Sequence, residues 1–173
     1  MSVVNCVVGN VSKLEEGVAL DVLALTSAQR ASAHFSATTT NGRTVRVSLP
    51  RGSELQEGDV LEVADGVATV VVAAAEDLLL IRPGADTMMW WVACYQLGNL
   101  HRPARFSEAG ILTPYDPMAL GVLRGFGAVI ERVNRPFIGK RFGAVQSHHH
   151  HGDGHGHAHV HAEGHTHSSA AAR

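Results

Sequence analysis

Asp86-Thr87-Met88-Met89-Trp90-Trp91-Val92-Ala93-Cys94-Tyr95-Gln96-Leu97-Gly98-Asn99 is the stretch that decides the fold. Asp86 offers an acceptor to the free N–H groups of a first helical turn, and Gly98-Asn99 forms a C-terminal stop. The spacing therefore predicts a helix over about Thr87–Leu97. β-type segments flank it. Asp77–Ile81 precedes it, closed by Arg82-Pro83-Gly84, and short strands around Ala104–Phe106 and Ile111–Thr113 follow. Asp116-Pro117 starts a second helix, an acidic cap with proline at the first helical position. Met118, Val122, Leu123 and Phe126 give that helix an apolar side, and Ala128–Val133 is the last strand. The order βαββαβ predicts a ferredoxin-like domain over residues 74–146.

Upstream, residues 1–73 read as a small all-β domain, a barrel or a two-sheet sandwich. The strand candidates are Val3–Val8, Val18–Leu25, Ala31–Ala37, Thr44–Leu49, Val60–Val63 and Val67–Val72. Asn41-Gly42, Gly58-Asp59 and Asp65-Gly66 are turn signals between them. Val45, Val47 and Leu49 alternate with Arg46 and Ser48, the period of a half-buried strand. The class expected for the whole chain is α+β.

The Thr87–Leu97 helix is apolar on nearly every side, and such a helix is buried on every side. A domain of this size leaves one helix face to water. The helix is therefore either sandwiched between the two domains or part of a subunit interface, and the interface is the expectation. Met88 and Met89 read as interface packing rather than soft-metal ligands.

Residues 147–173 have a different composition. Ten of the twelve histidines fall here: His148, His149, His150, His151, His155, His157, His159, His161, His165 and His167. Glycine and alanine fill most of the gaps, and Val160 is the lone large apolar residue, so no core can form and a disordered tail is expected. Neutral imidazole binds nickel, zinc and copper, which makes the tail a metal-binding segment. A purification tag is the bland alternative. Irregular spacing, with Asp153, Val160 and Glu163 interspersed, argues against it. Protonation blocks ligation, so most tail capacity should disappear as pH falls through roughly 6 to 5.

Net charge is −2 with histidines neutral, and 45% of residues are hydrophobic. No basic excess points to nucleic acid or an anionic membrane. The longest apolar run, Met88–Tyr95, is too short to span a bilayer, and Met1–Gly9 lacks the basic start and cleavage pattern of a secretion signal. Cys6 and Cys94 each sit in an apolar run, where core packing explains a thiol better than metal ligation. A cytoplasmic location is expected. No phosphate loop or nucleophile elbow is present. His34, on the polar face of a strand, reads as solvated. An enzyme is not expected; a metal-dependent hydrolase would need more ligands than the body offers.

His101 follows the first helix. From spacing alone, it either caps the last carbonyls of the helix or, if the helix packs on its symmetry mate, joins its twin at a shared metal site. The string Cys94-Tyr95-Gln96-Leu97-Gly98-Asn99-Leu100-His101 resembles the signature of the urease accessory metallochaperone family, UreE. The likeness extends to Leu49-Pro50-Arg51-Gly52, Gly58-Asp59-Val60-Leu61 and Leu123-Arg124 with Phe126-Gly127, and to the histidine-rich end. It implies an N-terminal partner-binding β domain and a ferredoxin-like metal-binding and dimerisation domain. It also implies a homodimer that carries Ni2+ (Zn2+ or Cu2+ also binding) to the urease accessory GTPase and the apo-urease assembly complex. His101 takes the place of the family's interface ligand. Some relatives carry a further histidine where this chain has Gln96, or histidines just before the second helix, where this chain reads Pro114-Tyr115-Asp116-Pro117. Asp116 is therefore expected to cap a helix rather than hold a metal. The transfer expected is ligand exchange: the tail gathers metal, paired His101 side chains hold it, and a partner replaces them. The competing expectation is a zinc or nickel store.

Overall fold

Asp65 and Gly66 both have positive φ, 51° and 74°, the conformation of a type I′ hairpin turn. That turn fixes the register of two strands in a computed structural model that describes residues 3–142. The strands and helices in chain order are β1 (Val3–Val4), β2 (Gly9–Asn10), β3 (Ala19–Leu25), α1 (Ser27–Arg30), β4 (His34–Thr38), β5 (Thr44–Ser48), β6 (Asp59–Ala64) and β7 (Val67–Ala73). There follow β8 (Ala75–Arg82), α2 (Thr87–Asn99), β9 (Pro103–Ser107), β10 (Gly110–Pro114), α3 (Pro117–Gly125), β11 (Val129–Pro136) and β12 (Lys140–Arg141). The chain is thus sheet-rich, with few helices. The expected tail, residues 147–173 with its ten histidines, lies outside the described residues.

Two sheets form from the first seven strands, ordered β1-β5-β4 and β2-β6-β7-β3. The inward positions of alternating strands make their common core: Val45, Val47 and Leu49 from one sheet, Leu23, Leu25 and Val71 from the other. Arg46 and Ser48 point outward as the alternation predicts. Two expectations need correction. Val3–Val8 is not one strand, because β1 ends at Val4 and β2 starts at Gly9. Ala31–Ala37 starts late, at His34, because Thr26 and Gln29 form a reciprocal capping box that coils Ser27–Arg30 into one helical turn. Cys6 is exposed rather than packed in a core, since it falls between those two short strands.

The third sheet has the order β11-β8-β10-β9-β12, and its neighbours pair antiparallel. β8 lies inside it and is apolar on both faces. Leu79 and Ile81 face the helices, packing with Ala93, Leu97, Ile111 and Leu123. Leu78 and Leu80 pack on the other side with Leu112 and Phe137. Met118 does not join the core as expected; it is 71% exposed, and Ala119 and Leu123 hold the buried face of α3. The two halves are tied by side chains. Ser27 donates from its N–H (2.8 Å) and its hydroxyl (2.9 Å) to the two carboxylate oxygens of Glu76. Buried Arg30 donates to the Phe137 carbonyl at 2.6 Å.

α2 is not covered by the N-terminal half. Ala93 and Leu97 are buried, with Trp90 and Cys94 packed beside them, but Met88, Trp91 and Tyr95 are 66%, 62% and 74% exposed. These three recur at helical spacing and form one apolar outer stripe. Among the described residues, no helix is long and apolar enough to cross a membrane.

Candidate metal centre

α2 starts as its sequence dictates: the Asp86 carboxylate accepts from the N–H groups of Met88 (2.8 Å) and Met89 (3.2 Å). Its end differs from expectation. Gly98-Asn99 does not stop the helix; both residues stay helical, and Leu100 is the cap. His101 then takes the left-handed turn, with φ 51°. Its backbone N–H donates to the Gly98 carbonyl at 3.1 Å. Glycine is the usual residue at such a position, because a Cβ there is strained. Histidine is among the side chains that enter this region more often than most, yet it remains uncommon there.

The His101 side chain is exposed, two residues past the end of α2. Among the described residues its imidazole has no hydrogen-bond or ion-pair partner, so the capping contact belongs to the backbone N–H and not to the ring. A free imidazole is a competent ligand for a borderline divalent ion. Among the described residues, no three His, Cys, Asp or Glu side chains gather into one ligand set.

The backbone just after His101 is held on several sides. Arg102 Nη1 donates to Asp116 Oδ2 at 2.6 Å. The same carboxylate caps α3, accepting from the Ala119 N–H at 2.9 Å. The Ala119 N–H bond is the main influence that holds the Asp116 carboxyl below the ordinary aspartate value; partial burial opposes it, and Arg102 adds to the lowering. Pro103 is buried, and its carbonyl accepts from the Thr113 hydroxyl at 3.0 Å. Asp116 thus caps its helix as expected, and also grips the residue beside His101.

A last short strand is not legible in the sequence. β12 adds to the edge of the sheet, with Lys140 opposite Ala104 and Arg141 opposite Pro103. Paired residues in an antiparallel ladder stand about 5 Å apart at Cα. Arg141, near the end of the described residues, therefore lies beside Pro103, two residues after His101. Phe142 packs edge-on against Phe106, with ring centroids 5.2 Å apart. With Leu97, Gly98 and Arg102 these rings help line a cavity of about 90 Å³.

Cys94 lines the same cavity, while His34 stands in the N-terminal sheets. Cys94 is half-buried against the core, and burial pushes its thiol pKa up, away from the thiolate a metal needs. His34 stands on β4, with Nδ1 3.2 Å from the Ser48 hydroxyl. The tail ligands His148, His149, His150, His151, His155, His157, His159, His161, His165 and His167 lie outside the described residues.

Comparison with known proteins gives a consistent family result. Residues 4–74 match the family described as UreE urease accessory protein, N-terminal domain. Residues 76–167 match UreE urease accessory protein, C-terminal domain. Among curated relatives named Urease accessory protein UreE, the protein of Burkholderia thailandensis is 40% identical over 108 residues, covering 62% of this chain and 50% of the relative. One from Burkholderia pseudomallei is 38% identical over 108 residues, covering 62% of this chain and 53% of the relative. One from Burkholderia ambifaria is 37% identical over 108 residues, with 62% and 53% coverage. The chain spans about half the length of the curated relatives it matches.

Proposed function

This chain belongs to the UreE urease accessory protein family, and from that premise we propose that it carries Ni2+ to the urease assembly machinery as a homodimer. The observation that carries the reading is His101. Its imidazole is exposed and, among the described residues, unpartnered, and its backbone sits in a conformation better suited to glycine, two residues past a helix with an uncovered apolar face. Backbone strain of this kind persists where the surroundings hold it, and it marks functional positions.

One imidazole is not a coordination shell. A second copy docked through Met88, Trp91 and Tyr95 would bring its own His101 near the same axis, because a two-fold interface is self-complementary. Water or tail histidines would complete the shell. Such an open site suits hand-over better than a closed four-ligand site. The tail gathers the ion, the His101 pair holds it, and the recipient displaces them ligand by ligand. No substrate bond is broken, so the role is not enzymatic.

Residues 74–146 serve here as the metal-binding and dimerisation domain. The βαββαβ order, with antiparallel strands in the order β11-β8-β10-β9, supports a ferredoxin-like arrangement. Residues 1–73 serve as the partner-binding domain. The recipients are the urease accessory GTPase and its complex with apo-urease, in the cytoplasm. Zinc or copper would also bind, since imidazole discriminates weakly among them.

Nickel titration with and without residues 147–173 tests the reading against a storage role. A carrier keeps one tight site per dimer after the tail is removed and loses it on His101→Ala. A store loses nearly all binding with the tail alone, and His101→Ala changes nothing further.

A further inference from the structure

We infer that Arg102, held by Asp116, is a positioning residue that sets the direction of the His101 imidazole; this rests on the reading of His101 as the nickel ligand. A residue with φ 51° following a helix end has little helical hydrogen bonding of its own to hold it. Among the described residues, its backbone is held by the N–H bond to the Gly98 carbonyl. The direction of its side chain therefore depends on how firmly the next residues are anchored. Three anchors converge there. Arg102 reaches across to Asp116 at 2.6 Å, with both side chains 29% exposed. Thr113 holds the Pro103 carbonyl at 3.0 Å. Arg141 of β12 pairs with Pro103.

Of these, the Arg102–Asp116 contact lies nearest His101 and joins two elements. Asp116 is itself fixed as the cap of α3, whose buried face packs beneath α2 in the same core. The guanidinium thus refers the turn at His101 to a rigid helix rather than to a loop. Among the described residues, the buried Arg102 Nε has no hydrogen-bond partner. An orphaned polar atom is costly, so simple stability does not explain why an arginine stands here. Positioning does, because a charge-assisted bond is directional. Partners that orient a ligand affect metal affinity by about 10–100-fold when removed.

The test is a double-mutant cycle on the full chain, with the tail kept in every variant so that its contribution cancels. The tightest Ni2+ site is measured by competition with a chelator in wild type, Arg102→Gln, His101→Ala and the double variant. Arg102→Gln should weaken that site about tenfold. The same substitution should have no effect on the His101→Ala background, because coupled residues show non-additivity. Asp116→Asn keeps a good cap residue but turns an amide toward Arg102, and should repeat the loss. Arg102→Lys should recover most of it. Thermal unfolding of each variant separates this from loss of fold: a purely structural arginine weakens binding equally in both backgrounds, and that result overturns the inference. Unchanged affinity in Arg102→Gln, beside a clear loss in His101→Ala, also overturns it while leaving the carrier reading intact. No loss in His101→Ala overturns both.

Discussion

Trp91→Ala offers a direct test of the uncovered face of α2. Trp91 is 62% exposed in the single protomer, while Ala93 and Leu97 hold the helix to its sheet. The substitution therefore removes surface without opening the core. An aromatic side chain presents about 200 Å², so roughly 125 Å² of Trp91 remains to be buried by a partner. At about 25 cal/mol per Å² this is worth ~3 kcal/mol per copy when fully covered. A two-fold interface contains the residue twice, so covering about half of it still contributes ~3 kcal/mol to association. That corresponds to roughly a hundredfold rise in the dimer dissociation constant. Sedimentation equilibrium over a wide concentration range measures it, with circular dichroism to confirm that the protomer stays folded. A dissociation constant within about threefold of wild type would show that this stripe is not where two copies meet.

Leu123→Ala, at a position with no exposure between α3 and the third sheet, should cost about 2–5 kcal/mol in chemical unfolding and leave the N-terminal sheets recognisable by hydrogen exchange. His101→Gly and His101→Ala should both lose the tight nickel site, yet the glycine variant should be more stable by about 1 kcal/mol, since alanine keeps the strained φ and glycine does not. Equal stabilities would mean the turn relaxes and carries no strain. Asp77 is held below the ordinary aspartate value chiefly by its hydrogen bonds to Arg132, with partial burial opposing. A carboxyl lowered by folding stabilises fully above its unfolded pKa of about 3.9, and that stability is lost as pH falls through the lower folded value. Asp77→Asn should therefore melt below wild type at pH 6 and approach it near pH 2; a gap that stays constant with pH would contradict the assignment.

Much of the fold was legible because local signals and burial agree. Asp86 and Asp116 cap the helices their positions predict, and Asp65-Gly66 makes its turn. Val45, Val47 and Leu49 face inward on schedule. The misreadings have physical causes. Ser27–Arg30 coils because Thr26 and Gln29 cap each other, a short-range pair hidden inside what looks like a strand-to-strand link. Gly98-Asn99 reads as a C-terminal stop, but a glycine inside a helix costs only about 1 kcal/mol, which the packing of Ala93 and Leu97 outweighs. β12 is two residues long and has no periodicity to read; pairing with the β9 edge makes it a strand. His101 was found through its neighbours in sequence. Arg102 was not, because its meaning depends on Asp116, fourteen residues away and brought close only by the fold.

The His101 turn also bears on why a carrier would be built this way. A helix end closed by glycine would be more relaxed, and a histidine inside the helix would be held by regular hydrogen bonds. The imidazole stands one residue past the cap, in left-handed backbone, exposed and without a hydrogen-bond or ion-pair partner among the described residues. The strain is borne locally, since Arg102, Pro103 and Thr113 fix the chain immediately afterward. A ligand so placed can meet its copy across a two-fold axis without either protomer closing a shell alone. On the proposed reading, affinity then depends on dimerisation and on groups that exchange readily, which is the condition for an ion to be held and yet surrendered.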